Sequence, residues 1–249
     1  MKPLSFYKSL HDAKARRERG VFLVEGIRAV TQIAQSHSES IIELLVEEKK
    51  RAPAELKYPV RFISPSQFRA ICTSAAPCGP LAVVKIPGGA YSSSLPDDTG
   101  VRVLALEDVQ DPGNVGALVR SAAAFDFSGV LLSDKCADPF GPKAVQASAG
   151  SVLSVWVRRT KEFHAGVRGL AEKGFYCIAA DVRGTETLHS GGSPKFVLIL
   201  GNEGNGISAD VLACSHSIMR IPINAARVES LNVAASGAVC MYALAGLRG

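Results

Sequence analysis

Asn114, Arg120, Glu203, Ser230 and Asn232 are the polar side chains of this sequence best placed to do chemistry, because they lie in three segments that each run an apolar, strand-like stretch into a polar turn. The first segment, Leu104–Arg120, reads LALEDVQDPGNVGALVR; the second, Val197–Ser208, reads VLILGNEGNGIS; the third, Ile218–Ala234, reads IMRIPINAARVESLNVA. Ligands of open α/β sheets bind beyond the carboxyl ends of the strands, so three such turns point to one crevice. Arg120 follows Asn114 by six residues, about 9 Å along a helix and on another part of its surface. A nucleotide or an RNA strand could touch both, whereas one small metabolite would struggle to. On spacing alone the plainer roles stay open: Asn114 suits a helix cap, Glu203 a turn acid, and Ser230 a cap for the apolar run after it. Asn232 is harder to dismiss, since an amide between Leu231 and Val233 needs a partner.

The glycines of Gly201-Asn202-Glu203-Gly204-Asn205-Gly206 permit a tight turn and close approach of backbone to a ligand. Their spacing is not the G-x-G-x-x-G of dinucleotide folds, and no G-x-x-x-x-G-K-[ST] loop occurs, which disfavours a nucleotide-dependent oxidoreductase. The six cysteines are scattered without a C-x-x-C pair, and read as free, mostly buried thiols with no metal site. Cys214-Ser215-His216 reads as a structural coincidence rather than a catalytic pair.

With 249 residues, 47% hydrophobic and 20% charged, the composition is that of a soluble globular chain of one large or two modest domains. No run approaches the ~18 consecutive apolar residues of a membrane helix, and the opening residues lack the apolar stretch of a signal peptide, so no membrane and a cytoplasmic location are expected. The net charge of +5 is uneven: residues 1–28 hold Lys2, Lys8, Lys14, Arg16, Arg17, Arg19 and Arg28 against Asp12, Glu18 and Glu25. Such a cluster fits a solvated helix face or a phosphate-binding one equally well.

The elements that must position these residues fall into two groups. Residues 87–99, with Pro, Gly, Ser and Asp and almost no apolar periodicity, read as an exposed linker between a module at 1–86 and a larger domain at 100–249. Before the linker the pattern predicts a basic helix at Phe6–Arg19, strands at Val21–Val24, Ile41–Val46, Val60–Ile63 and Leu81–Ile86, and helices at Gly26–Gln35 and Pro65–Cys72. After it, strands are expected near Val101–Leu106, Gly129–Ser133, Val152–Val157, Phe175–Ala180, Phe196–Leu200 and Ile218–Ile221, mostly separated by helical or turn segments. This alternation predicts an α/β fold with a mainly parallel sheet covered on both faces. The helix ASGAVCMYALAG is rich in small residues, as in a helix packed deep or at a subunit contact.

Taken in order, EDVQDPGNVGALVRSAAAF, LILGNEGNGIS and IPINAARVESLNVAA resemble the three signature motifs of the SpoU (TrmH-like) branch of the SPOUT RNA ribose 2′-O-methyltransferases, with DPFGPKAVQASAG fitting between the first two. The resemblance covers essentially all of 100–249. More loosely, Lys14-Ala15-Arg16-Arg17, Phe22-Leu23-Val24-Glu25-Gly26 and Pro77-Cys78-Gly79-Pro80-Leu81-Ala82 resemble the small substrate-binding domain of ribosomal-protein fold attached to many of these enzymes. The resemblance implies a C-terminal trefoil knot and a homodimer whose interface helps form the site. It also implies S-adenosylmethionine bound through the backbone of Ala180, Leu200, Gly201, Ile221 and Leu231. It assigns catalysis to Asn114, Arg120, Glu203, Ser230 and Asn232, requires no metal, and turns Lys14, Arg16, Arg17 and Arg19 towards RNA. Ribosomal RNA is the expected substrate; a transfer RNA methyltransferase and a non-catalytic RNA-binding or ribosome-assembly protein of the same fold are the alternatives. Two departures stand out: Asn224-Ala225-Ala226 replaces a shorter Gly-containing turn, and Cys78 replaces a common Gln.

Overall fold

The structure, a computed structural model, describes residues 2–52, 56–74, 77, 79–184 and 193–245. The departure at Cys78 lies outside the described residues.

In the first module two short helices, α1 (Leu4–Ser9) and α2 (Ala13–Arg19), precede β1 (Val21–Glu25). The single helix expected at Phe6–Arg19 is broken because Asp12 starts a new one, its carboxylate accepting the Ala15 amide at 3.0 Å. Helix α3 (Ile27–Ser36), β2 (Ile41–Glu47), β3 (Val60–Ile63), α4 (Pro65–Arg69) and β4 (Leu81–Lys85) complete the module. Ser64 and Gln67 form a reciprocal capping box at the start of α4. The sheet runs β1-β4-β2-β3, with β4 antiparallel to both neighbours and β3 parallel to β2.

The larger domain contains β5 (Arg102–Leu106), α5 (Pro112–Ala124), β6 (Gly129–Ser133), α6 (Pro142–Ser148), β7 (Trp156–Thr160), α7 (Phe163–Glu172), β8 (Tyr176–Ala180), β9 (Phe196–Leu200), α8 (Ala209–Ala213), β10 (Ser217–Met219) and α9 (Val233–Ala245). Its six strands pair in the order β10-β8-β9-β5-β6-β7, every pairing parallel. Strands β5, β6 and β9 are buried along their whole length, which is why they read as unbroken apolar runs. The strand expected at Val152–Val157 begins only at Trp156; Ser151–Leu153 is a buried 3-10 turn entered through Gly150 at φ 92°. A short apolar run does not separate a strand from another buried segment.

The segment expected to be an exposed linker is instead stitched to the outer edge of β7. Ala90 is buried and its carbonyl accepts the Arg159 amide at 2.8 Å. Arg158 Nε donates to the Ser94 carbonyl at 3.0 Å, and the Trp156 indole donates to the Thr99 carbonyl at 3.3 Å. One hydrophobic cluster crosses the boundary, joining Phe22, Val30 and Val84 of the first module to Phe140, Val145 and Val152 of the second. Gly150 lies so close to Ala29 that a Cβ would press on its backbone.

Candidate active site

The turn after β5 is held in an uncommon shape. Asp108 adopts a left-handed conformation, φ 56°, which costs energy for a non-glycine residue and persists only when its surroundings fix it. Its carboxylate accepts the Ser133 hydroxyl at 2.7 Å and pairs with Lys135 at 3.2 Å, while its carbonyl accepts Asn202 Nδ2 at 2.8 Å. Asp111 then caps α5 by accepting the Asn114 amide at 2.8 Å, with Pro112 in the first turn. The cap is therefore Asp111, leaving the Asn114 side chain free to face the other turns.

That side chain joins all three segments. Asn232 Oδ1 accepts the Ala234 and Ala235 amides at the start of α9, at 2.9 and 3.2 Å, so its Nδ2 must donate; it does so to Asn114 Oδ1 at 3.1 Å. Asn114 Nδ2 is thereby directed to Glu203 Oε1 at 3.0 Å. Each amide's orientation follows from its neighbour, and the chain has one polarity, from α9 through α5 to the carboxylate. The Gln110 amide reaches the other oxygen of Glu203 at 3.4 Å. Asn202 sets the Glu203 backbone in place: its Oδ1 accepts the Gly204 and Asn205 amides at 2.9 Å, and its main chain bridges to Gly206.

Arg120 and Ser230 are placed differently. The Arg120 side chain is exposed on α5 and makes no hydrogen bond or ion pair with the described residues, and the same is true of the exposed Ser230 side chain. The structure brings Asn114, Glu203 and Asn232 together but does not bring these two to them within one chain.

Ala180, Leu200, Gly201 and Ile221 lie at or just past the carboxyl ends of the adjacent parallel strands β10, β8 and β9, while Leu231 is exposed on the loop before α9. A Cβ at Gly201 would collide with the Gly206 backbone, so only glycine lets the turn fold back on the strand end. The five residues carry no charge, and Ala180 and Ile221 pack against the main core. The two loops are stapled by Arg183, whose guanidinium forks onto the Asp181 carboxylate at 2.7 Å through both Nε and Nη2 and also donates to the Ile207 carbonyl at 3.0 Å. The hydrogen bonds from Arg183 hold the Asp181 carboxyl below the usual carboxylate range.

Of the four residues expected to contact RNA, Lys14, Arg17 and Arg19 are exposed, with Arg17 stacked on Tyr91 and Arg19 on Phe6. Arg16 is not available: its side chain is 3% exposed and paired with Asp138, 9% exposed, at 2.5 Å.

Several contributors carried no sequence signal that singled them out. Glu107, at the end of β5, is buried and accepts the Ser208 hydroxyl at 2.6 Å, the Ser208 amide at 2.9 Å and His164 Nε2 at 3.0 Å, tying together the starts of α7 and α8. Arg183 and Lys135 are isolated bases in sequence. Asn202 could have been found, since an Asn two residues before a Gly in a turn suits closure on its own backbone. The Cys214-Ser215-His216 segment is structural: His216 Nδ1 accepts the Cys177 amide at 3.0 Å and its ring stacks on Tyr176.

A parallel α/β sheet with polar turns gathered beyond its strand ends, fused to a small α/β module with an exposed basic helix, defines a two-module α/β protein with a candidate active site at the strand ends. Residues 102–242 match the SpoU rRNA Methylase family, and residues 5–82 match the MRM3-like substrate binding domain. The chain belongs to the SpoU rRNA methylase family. It is 30% identical over 243 residues to the 23S rRNA (guanosine(2553)-2′-O)-methyltransferase RlmP of Bacillus subtilis, covering 96% of this chain and 94% of that protein. It is also 30% identical over 243 residues to an uncharacterized tRNA/rRNA methyltransferase of Synechocystis, covering 94% of this chain and 87% of that one. Its fold is that of the SpoU methyltransferase AviRb from Streptomyces viridochromogenes, solved with AdoMet, at a TM-score of 0.85 and 22% identity over 98% of this chain and 97% of that one.

Proposed function

We propose that the protein methylates a ribose 2′-hydroxyl of ribosomal RNA, with S-adenosylmethionine as the methyl donor. The observation that carries this reading is the Asn232–Asn114–Glu203 chain, which draws the three motifs of the family into one hydrogen-bonded unit beside the strand ends. Membership of the SpoU rRNA methylase family and the attached substrate-binding module support it. The similarity to RlmP over nearly the whole chain favours ribosomal over transfer RNA.

Ala180, Leu200, Gly201, Ile221 and Leu231 would hold the cofactor, which supplies an activated sulfonium methyl group. Direct displacement needs the attacking oxygen, methyl carbon and sulfur in line, so the residues' main task is orientation. Asn114 and Glu203 hold the ribose, and Asn232 fixes the start of α9 against them. Arg120, whose guanidinium is a poor proton acceptor, holds an RNA phosphate and offsets negative charge developing on the hydroxyl oxygen. Ser230 fixes the loop before α9.

The C-terminal knot and the homodimer belong to the same reading. Val228, Leu231, Val239 and Tyr242 are exposed apolar side chains of the third segment and α9, with Tyr242 68% exposed. Such a stripe suits burial against a second copy. Among the described residues no helix is long and apolar enough to cross a membrane, and the cytoplasm is the expected compartment.

Incubation of the protein with S-adenosylmethionine and unmodified ribosomal RNA is expected to give one new 2′-O-methylnucleotide, mapped by reverse-transcription stops at low nucleotide concentration. Absence of methyl transfer to any ribosomal or transfer RNA, with cofactor binding verified by calorimetry, would refute it. Arg120→Ala should abolish turnover and leave cofactor affinity intact.

A further inference from the structure

The junction between the two modules is built from polar groups that the reaction does not use. Arg16 donates from Nη1 to the Leu10 and His11 carbonyls at 2.8 and 2.9 Å, and from Nε and Nη2 to Asp138 Oδ2 at 3.2 and 2.5 Å. The other carboxylate oxygen of Asp138 accepts the Tyr91 hydroxyl and the Phe140 amide, both at 3.1 Å. Tyr91 comes from the segment between the modules, packs edge-on to Phe140, and carries the Arg17 guanidinium over its ring at 4.6 Å. Phe22 of β1 closes the cluster against Phe140, with centroids 5.2 Å apart. A buried charge pair holds only when geometry and further hydrogen bonds satisfy both partners, and here both partners are satisfied.

The loop that carries Asp138 also holds the active-site turn. Lys135 pairs with Asp108 at 3.2 Å, and the Ala137 amide donates to the Val109 carbonyl at 2.9 Å. Cys136 Sγ donates to the Leu106 carbonyl at 3.2 Å. One short loop between β6 and α6 thus grips the turn before Asn114 at one end and the basic helix α2 at the other.

We propose that the Arg16–Asp138–Tyr91 joint locks the substrate-binding module to the active-site turn in one register, so that RNA held on α2 is presented to the crevice at a fixed distance and angle. This rests on the RNA methyltransferase reading. Arg16 and Asp138 are then positioning residues for RNA, and only Lys14, Arg17 and Arg19 of the basic helix remain to meet phosphate. A tethered module would raise the local concentration of RNA and leave its orientation to chance; a locked one fixes both before binding.

Asp138→Asn tests this by the sign of its effect. Removing a negative charge strengthens RNA binding if electrostatics alone operates, whereas loss of the joint weakens it. Binding and methylation of in vitro transcribed, unmodified ribosomal RNA would be measured for the full chain carrying Asp138→Asn, Arg16→Met or the milder Tyr91→Phe. The expected result is an RNA KM raised about tenfold in the first two and less in the third, with kcat and S-adenosylmethionine affinity within about twofold of the parent. The slope of log affinity against log salt stays unchanged, because no phosphate contact is lost; a phosphate-binding Arg16 lowers that slope by about one. Unaltered or tighter RNA binding by Asp138→Asn, or a slope reduced in Arg16→Met, overturns the proposal. Hydrogen exchange across Gly88–Asp97 and residues 134–141 reads the joint without RNA, and is expected to rise in all three variants. A parent protein that methylates no RNA would therefore refute the function and leave the joint open to test; unchanged exchange would refute the joint itself.

Discussion

Asn114 is where one substitution separates orientation from charge. Asn114→Ala removes a hydrogen bond to a carboxylate, worth ~1.5–3 kcal/mol, and one to an amide, worth ~0.5–1.5 kcal/mol. If both act fully in the transition state, the combined ~2–4.5 kcal/mol corresponds to a rate loss of about 30- to 2000-fold. Asn114→Asp keeps the size and still accepts from Asn232, but sets a second carboxylate about 3 Å from Glu203, where the Asn114 amide donates now at 3.0 Å. At that distance the repulsion is at most ~5 kcal/mol with an effective dielectric of about 20, and the exposure of Glu203 reduces it to ~1–2 kcal/mol. Two carboxylates this close favour sharing one proton, so the contact is present in acid and lost as pH rises. Relative to the parent at each pH, Asn114→Asp should be at least as impaired as Asn114→Ala near pH 8 and recover about tenfold near pH 5. Adding Glu203→Gln restores a donor with the opposite polarity, and the double variant should exceed Asn114→Asp by about tenfold near pH 8. Single-turnover methylation with saturating cofactor measures all four proteins. A pH-independent defect in Asn114→Asp together with no rescue by Glu203→Gln would refute the idea that this chain orients the substrate.

Three further outcomes follow from the geometry. Gly201→Ala forces its Cβ into the Gly206 backbone, so calorimetry should find S-adenosylmethionine affinity lost while the melting temperature falls by only a few degrees, about 2–4 °C per kcal/mol for a chain of this size. Asp181 is held below the usual carboxylate range by Arg183; its contribution is present above about pH 4 and lost as pH falls through the folded value. Cofactor affinity should therefore be flat from neutrality to about pH 4, and Asp181→Asn should show the acid-form affinity at neutral pH. Burial pushes the Cys177 thiol up to about 11 and those of Cys72 and Cys240 up to about 12. Near pH 8 about one thiol in a thousand or fewer is ionised at these positions, so native alkylation, followed by mass spectrometry, should be slower than in the denatured chain by about a hundredfold or more.

The parts of this fold that were legible in sequence are those where one local pattern admits one structure. Arg102–Leu106, Gly129–Ser133 and Phe196–Leu200 are fully buried strands and read as such, because a parallel sheet covered on both faces needs uninterrupted apolar runs. Val152 and Leu153 are equally apolar, yet they pack as a turn beneath α3 and α5, and composition does not carry that distinction. The turns holding Asn114, Glu203 and Asn232 were recognisable from strand-then-Gly-or-Asn order. Which amide donates to which was not, since it depends on Asn232 Oδ1 being taken by the α9 backbone.

Arg16 shows the limit from the other side. In sequence it is one of four bases in a short basic run, indistinguishable from Lys14, Arg17 and Arg19. Its fate is decided by the Leu10 and His11 carbonyls at the break between α1 and α2, and by a carboxylate 122 positions away. Helical periodicity alone turns Arg16 away from Lys14, two positions back, but sets it beside Arg19, three positions on, so it does not say whether Arg16 meets water or protein. Burying it requires a partner that satisfies its charge, and Asp138 lies in a Pro- and Gly-containing loop that would otherwise read as surface. The same contact explains the path of the linker: once Asp138 has drawn in Tyr91, residues 88–99 run along β7, and a composition suited to flexibility carries an ordered strap.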